Sequence, residues 1–299
     1  MKFDIIGKRY WWFLLSALIV IPGLISIFTQ GFNLGIDFTG GTIIDLKFAR
    51  PVTVAEVRTV LTEYEMGNST IQLAATDNAE AAQNVFIRTH VLSNAESQTL
   101  FAGMEKKLGK FDVQRSEKVG AVIGSELTKQ AVLNLSIVCL LLIAYISYRF
   151  EHQIAISAIL AILHDVLVVL GIFSLLHKEL DASFVAAILT IIGYSMNEAI
   201  VVFDRIRENL RTHRKTEPFA DLVNRSIAQT YTRSIYTLLT VLFACLSLHF
   251  FGGETTKNFS LAMIIGFVSG AYSAIFNASP IWVTWREYSE KKRLAARQG

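Results

Sequence analysis

The chain has 299 residues, of which 52% are apolar, and a formal net charge of only +3. That small excess excludes a nucleic-acid binder held through phosphates, and apolar content above the roughly 45–50% of soluble domains, gathered into long uncharged runs, excludes a soluble enzyme. The two cysteines, Cys139 and Cys245, both fall inside apolar runs and make no disulfide framework.

Six runs are long enough to cross a hydrocarbon layer about 30 Å thick, which takes roughly 20 helical residues. The first is Tyr10–Phe28. Lys2, Lys8 and Arg9 precede it, as in a signal peptide. Its apolar run is too long for a signal-peptide core and no small-residue cleavage site follows Phe28, so a retained helix is expected.

Next come about 100 mostly polar residues, Gln30–Lys129. Thr42–Phe48 reads as a strand with Ile43 and Leu46 near the core. Thr53 and Glu56 form a capping box that opens a helix with the stripe Val54, Val57, Val60 and Leu61. Thr70–Ala74 and Asn84–Thr89 read as strands. Ser93 and Glu96 repeat the capping box before a helix with the face Leu100, Phe101, Met104 and Leu108. Phe111–Val119 closes as a strand. The order β-α-β-β-α-β is that of a ferredoxin-like α+β domain. Ahead of it, Gly35-Ile-Asp37-Phe-Thr-Gly40-Gly41 precedes a strand rather than a helix, so it reads as a tight turn and not as a phosphate cradle.

Gln130–Tyr148 and Ile154–Leu176 follow as an antiparallel hairpin closed by a tight turn at Arg149–Gln153. Phe184–Phe203 is the fourth run. Residues 204–234 form a basic segment in which Phe219, Leu222, Val223 and Ile227 recur at helical spacing, predicting an amphipathic interfacial helix. Ile235–Phe251 and Ser260–Trp285 complete the set, and a basic tail occupies 286–299. The prediction is a polytopic α-helical membrane protein of six transmembrane helices, with one small α+β domain at 30–129 between helices one and two.

Basic residues fix the orientation. With the N-terminus inside, the cytoplasmic segments hold Lys2, Lys8, Arg9, Arg149, seven Lys or Arg from Arg205 to Arg233 and five from Arg286 onward. The two short outer loops hold only Lys178 and Lys257. Both termini are therefore expected in the cytoplasm and 30–129 outside it.

Ionisable groups inside a bilayer are costly and point to function. Asp165 lies eleven residues beyond Ile154, roughly 16 Å along the helix and near mid-membrane. Glu198 stands on the fourth helix and Arg233 at the entry to the fifth, so the three groups are expected to meet in the bundle interior. A carboxylate in low dielectric takes up a proton and an approaching arginine drives it off. An Arg–carboxylate contact that opens and closes would thus couple helix movement to an ion, whereas a fixed contact would only hold helices together. His164 lies about 100° round the helix from Asp165 and is either an interhelical hydrogen-bond donor or a proton relay. Tyr194, Ser195 and Asn197 either hydrate an ion path or bond to neighbours. Gly266-x-x-x-Gly270 is a small-residue packing face, or a contact that moves. No P-loop, metal-ligand spacing or nucleophile elbow is present, so neither a catalytic residue, a metal site nor a bound cofactor is expected.

Several of these motifs resemble one family. Gly35–Gly41, Val119-Gly-Ala-Val-Ile-Gly-Ser-Glu-Leu127, His164-Asp165, the run Gly193–Glu208, Thr232-Arg-Ser234 and Phe251-Gly-Gly253 are similar, in order and over nearly the whole chain, to signatures of the SecD/SecF family within the resistance-nodulation-division superfamily. The resemblance implies a bacterial inner-membrane subunit without enzymatic activity. It would pair with SecD, a related six-helix protein, associate with the SecYEG channel and YajC, and use a proton or sodium gradient to pull exported unfolded polypeptide outward. It carries the coupling acid onto Glu198, where most members have Asp, and the partner arginine onto Arg233. It makes Gly35, Asp37, Gly40 and Gly41 the signature of the outside domain. Two other readings stand beside it, a small-molecule efflux subunit of the same superfamily and a non-transporting assembly factor.

Overall fold

A computed structural model describes residues 4–74, 81–213 and 217–298. Lys2, Arg214 and Lys215 of the orientation argument, and the side chain of Arg297, lie outside the described residues. Elements follow in the order α1 (Arg9–Gln30), β1 (Asn33–Leu34), α2 (Ile36–Thr39), β2 (Gly41–Thr53), α3 (Val54–Glu63), β3 (Thr70–Ala74), β4 (Ala81–Thr89), α4 (Asn94–Leu108), β5 (Phe111–Val119) and α5 (Ala121–Arg149). The rest of the chain is α6 (His152–Leu175), β6 (Glu179–Leu180), α7 (Ala182–Arg211), α8 (Phe219–Phe251), α9 (Glu254–Ser273), a π turn (Ala274–Ala278) and α10 (Ser279–Gln298). Two compact units result, one of residues 34–132 and one of 1–33 with 133–299.

In the smaller unit both helices begin where the side chains dictate. Thr53 Oγ1 accepts the Glu56 N–H while the Glu56 carboxylate accepts the Thr53 N–H at 2.8 Å, and Ser93 with Glu96 does the same at 2.7 Å. Orphan donors of the first turn are thereby satisfied. The four strands form an antiparallel sheet in the order β3-β4-β2-β5. Val57, Val60 and Leu61 of α3, with Leu100, Met104 and Leu108 of α4, cover Ile44, Leu46, Phe48, Val85 and Ile87. Ile44, not Ile43, shares the core face with Leu46, since strand side chains alternate with a period of two.

The signature Gly35–Gly41 is a single helical turn followed by two glycines at positive φ, +72° and +135°. A side chain on Gly40 would meet the Ala121 backbone at 3.0 Å, and one on Gly124 would meet the Gly40 nitrogen at 3.0 Å. Two of the sequence signatures are thus pressed together backbone to backbone, which bare glycines permit. Helix α5 accordingly begins at Ala121 rather than near Gln130.

Among the described residues six helices are long and apolar enough to cross a membrane, α5 starting in the smaller unit and the others lying in the larger. Their burial divides them. The most apolar stretches of α6, α7 and the α9–π–α10 rod are 44%, 50% and 61% buried, whereas those of α1, α5 and α8 are 17%, 6% and 11% buried. Helices approach closely at small residues: a Cβ on Gly266 would run into the Ile191 side chain, one on Gly270 would run into Ser195 Oγ, and Gly23 of α1 abuts Gly171 of α6. Gly266 and Gly270 therefore serve the packing of α9 on α7. The outer helices leave Leu14, Leu18, Leu133, Leu140, Leu141, Tyr236 and Phe243 exposed, as a lipid-facing or partner-facing flank requires.

One expectation is corrected here. The stripe Leu222, Val223 and Ile227 does not lie on a separate interfacial helix. It forms the first turns of α8, and all three residues are fully buried in a cluster with Ile206, Trp282 and Val283. Periodicity reports an apolar face, and here protein covers it.

Candidate functional site

Asp165, Glu198 and Arg233 do not share one set of contacts. Asp165 is completely buried on α6 and turns to the last turns of α9. Its Oδ1 accepts the Ser269 hydroxyl at 2.6 Å and its Oδ2 the Ser273 hydroxyl at 2.6 Å. His164, which its position about 100° round the helix does not require to share a partner with Asp165, places Nδ1 3.1 Å from Oδ1 of that neighbour. The 100° between adjacent helical residues is bridged by the rotamers the two side chains adopt.

Around this group runs a polar thread. Tyr272 gives its hydroxyl to the Trp12 carbonyl at 2.8 Å and lies 3.2 Å from Ser16 Oγ, which itself donates to Asn277 Oδ1 at 3.0 Å. Asn277 belongs to the π turn, an irregularity that collects at functional positions of helices.

Glu198 is on α7, 2% exposed, and its electrostatic surroundings are set by Ser234 and Arg233 of α8. Its Oε2 has no hydrogen-bond partner among the described residues, and the same holds for Ser234 Oγ, Ser195 Oγ and Tyr194 Oη. Tyr194 stands one turn before Glu198 and packs its ring on Phe267, centroids 4.6 Å apart. Ser195 presses against Gly270. A carboxylate oxygen and three hydroxyls on α7 and α8 thus lack hydrogen-bond partners among the described residues, where buried polar groups are ordinarily satisfied.

Arg233 itself is exposed and has no ion pair among the described residues. With Asn197, Thr230, Gln229, Asp204, Arg205 and Glu208 it lines a cleft of about 370 Å³ between α7 and α8. Gly193 and Asn197, one turn apart on α7, are exposed as well. The mid-helix polar residues split into an inward pair, Ser195 and Glu198, and an outward face that carries Asn197. At the mouth of the cleft Arg149 pairs with Asp204 at 3.0 Å and Arg205 with Glu208 at 2.8 Å.

Sequence reasoning passed over Ser234, Ser269 and Ser273 as site residues. Ser234 adjoins Arg233 in sequence, and Ser269 and Ser273 sit four apart, on one face of a helix. That spacing was the signal available.

The comparisons with known proteins agree with this architecture. The family "Protein export membrane protein SecD/SecF, C-terminal" matches residues 99–288, and the "SecD/SecF GG Motif" matches residues 25–52. A protein translocase subunit SecF of Acidaminococcus fermentans is 50% identical over 96% of this chain and 98% of its own length. A second, from Sebaldella termitidis, is 39% identical over 97% of this chain and 94% of its own. Among solved structures, SecDF of Thermus thermophilus, described as a translocon-associated membrane protein, superposes with a TM-score of 0.87 at 35% identity. The match covers 96% of this chain and 39% of that one, so the chain spans about two fifths of the SecDF polypeptide. SecDF in its super-membrane-facing form gives a TM-score of 0.72 at 34% identity. The chain is a multi-pass membrane protein that belongs to the SecD/SecF family of protein-export membrane proteins.

Proposed function

We propose that this chain is the half of a SecD–SecF pair that lies in the bacterial inner membrane beside the SecYEG channel and YajC, and that proton or sodium movement through Glu198 drives exported unfolded polypeptide outward. The observation that carries the reading is Glu198, a buried carboxylate whose Oε2 has no hydrogen-bond partner among the described residues, with Arg233 of α8 acting on it as a cation.

Moving Arg233 toward or away from Glu198 changes whether the carboxylate is better left charged, protonated or cation-bound. Ion occupancy and the α7–α8 distance are then linked. Asn197 exposes a polar group midway along α7, where lipid offers no hydrogen bonds, and Arg233 exposes another near the membrane entry of its helix. A second six-helix subunit with matching polar groups would complete that face, and SecD is the partner that fits. The basic residues flanking α1, α7 and α10 support cytoplasmic termini, with 34–132 on the outer side. Glutamate in place of the family's usual aspartate lengthens the arm by one methylene, which seats the carboxylate deeper toward Ser234.

The test is translocation of a secreted substrate into vesicles that carry this chain, SecD and SecYEG, under an imposed proton or sodium gradient. Glu198→Gln is expected to abolish the response to the gradient while the subunits still co-purify. A response equal to wild type would make Glu198 structural and end the proposal.

A further inference from the structure

We propose that the end of the bundle where α1 begins and α10 runs on past the last apolar residues is a docking surface for the headgroups of anionic phospholipids. The inference rests on the chain being a multi-pass membrane protein and needs no part of the export reading.

An ion pair sets the floor of this surface. Arg9, the first residue of α1, donates to both oxygens of Glu287 on α10, at 3.2 and 2.8 Å. Tyr10 and Trp285, which end the two apolar runs, stand beside the pair in sequence. The pair therefore marks the edge of the hydrocarbon, where opposite charges neutralise each other.

Beyond it the charges no longer balance. Residues 4–12 and 279–295 bring six cations and three acids to this end. All three acids are engaged: Glu287 by Arg9, Glu290 by Arg286 at 3.4 Å, and Asp4 by the Gly7 N–H and the Asn224 amide. Arg286 also stacks over Phe219 and Trp282 and belongs to the bundle. Lys8, Lys291, Lys292 and Arg293 are exposed and make no ion pair among the described residues.

Their height selects the partner. Lys291 lies one turn past Glu287, on the same face of α10, about 6 Å along the axis, and Arg293 lies about 9 Å along it. Headgroups occupy roughly 5–8 Å on each side of the hydrocarbon, and a flexible stem lets a lysine ammonium settle lower still. Tyr10, Trp11 and Tyr288 are 67%, 71% and 67% exposed near the same level, as aromatic residues of a membrane interface are. A soluble polyanion would have to enter the headgroup layer to reach these cations. Lipid phosphates are already in it.

Tryptophan fluorescence of the full chain in phosphatidylcholine vesicles is the test, with a fixed share of brominated phosphatidylglycerol or brominated phosphatidylcholine as quencher. The part of the emission that Trp11→Phe removes reports this surface, because Trp11 stands one helical turn from Lys8. Its quenching is expected to give phosphatidylglycerol an association constant at least about fivefold above that of phosphatidylcholine, the factor one cation contributes at an anionic surface. Lys8→Gln with Lys291→Gln, both at exposed positions, is expected to lower that ratio by about fivefold or more. Lys178→Gln, at the opposite end of the bundle, should leave it unmoved. A ratio near one in the wild type, or one that the double variant keeps, would overturn the proposal. So would loss of the preference when sodium phosphate replaces chloride at equal ionic strength, which would mark a site for free phosphate.

Discussion

Along the seam between α6 and α9 a buried carboxylate, Asp165, meets two serine hydroxyls and an imidazole, whereas along α7 and α8 another, Glu198, keeps one oxygen, Oε2, without a hydrogen-bond partner among the described residues. Both residues are at most 2% exposed, so depth alone does not separate them. Their partners do. In the first seam both carboxylate oxygens are spent on neighbouring groups, and it behaves as a fastening; the second holds unspent hydrogen-bonding capacity on the carboxylate itself. A membrane protein that must both cohere and cycle has reason to keep those tasks on different helix pairs.

That contrast can be broken by experiment. Its most severe test is Glu198→Gln, for which gradient-driven export should vanish with no fall in thermal stability, measured by scanning fluorimetry of the chain in detergent. Second is the paired change Ser269→Ala with Ser273→Ala, which strands the Asp165 carboxylate. Charged groups deprived of hydrogen bonds lose about 1.5–3 kcal/mol each, so a fall of about 3 kcal/mol in unfolding stability is expected, and an unchanged melting temperature would show that the seam is not a fastening. Third, Arg233→Lys keeps the charge but loses the planar fork; export driven by the gradient should drop several-fold while stability holds, because Arg233 is exposed.

A milder effect belongs to the 34–132 unit. Ser93→Ala should cost about 1 kcal/mol by removing a helix cap, measured by urea unfolding of Gln30–Lys129 expressed alone, which is expected to fold. Glu96 and Glu56 donate a pH dependence to the same segment. Hydrogen bonds from Ser93 and Thr53 hold their carboxylates below the usual glutamate value of 4.5. With the folded value depressed, their stabilisation is present above about pH 4.5 and is lost as pH falls through the lower folded value. A cap contribution that grew on acidification would contradict that sign.

Much of this was legible beforehand, and the reasons are local. Capping boxes join residues three apart, so Thr53–Glu56 and Ser93–Glu96 could be read from spelling alone. Membrane spans need only length and composition. The bonds from Asp165 to Ser269 and Ser273 cross 104 and 108 residues, and no periodicity predicts which faces of two apolar helices will meet. The same limit misdirected the reading of Leu222, Val223 and Ile227, whose spacing shows an apolar face but not whether lipid or protein covers it. That His164 bonds its own neighbour was hidden for another reason: adjacent helical residues diverge by 100° on average, and only the rotamers decide whether they touch.

Helices α7 and α8 run 30 and 33 residues without a proline, or about 45 and 50 Å at the standard rise, against a hydrocarbon layer of about 30 Å. Each is therefore a rigid rod that overhangs the bilayer, with its ion-facing residue well in from one end. Tilting α7 by about 7° about Glu198, roughly 24 Å from its first residue, sweeps that tip through about 3 Å, roughly the spacing from one residue of an extended polypeptide to the next. In engineering terms, under the proposed coupling the carboxylate would sit near a fulcrum, and a small rotation there would be geared up to a step of that length at the helix tip.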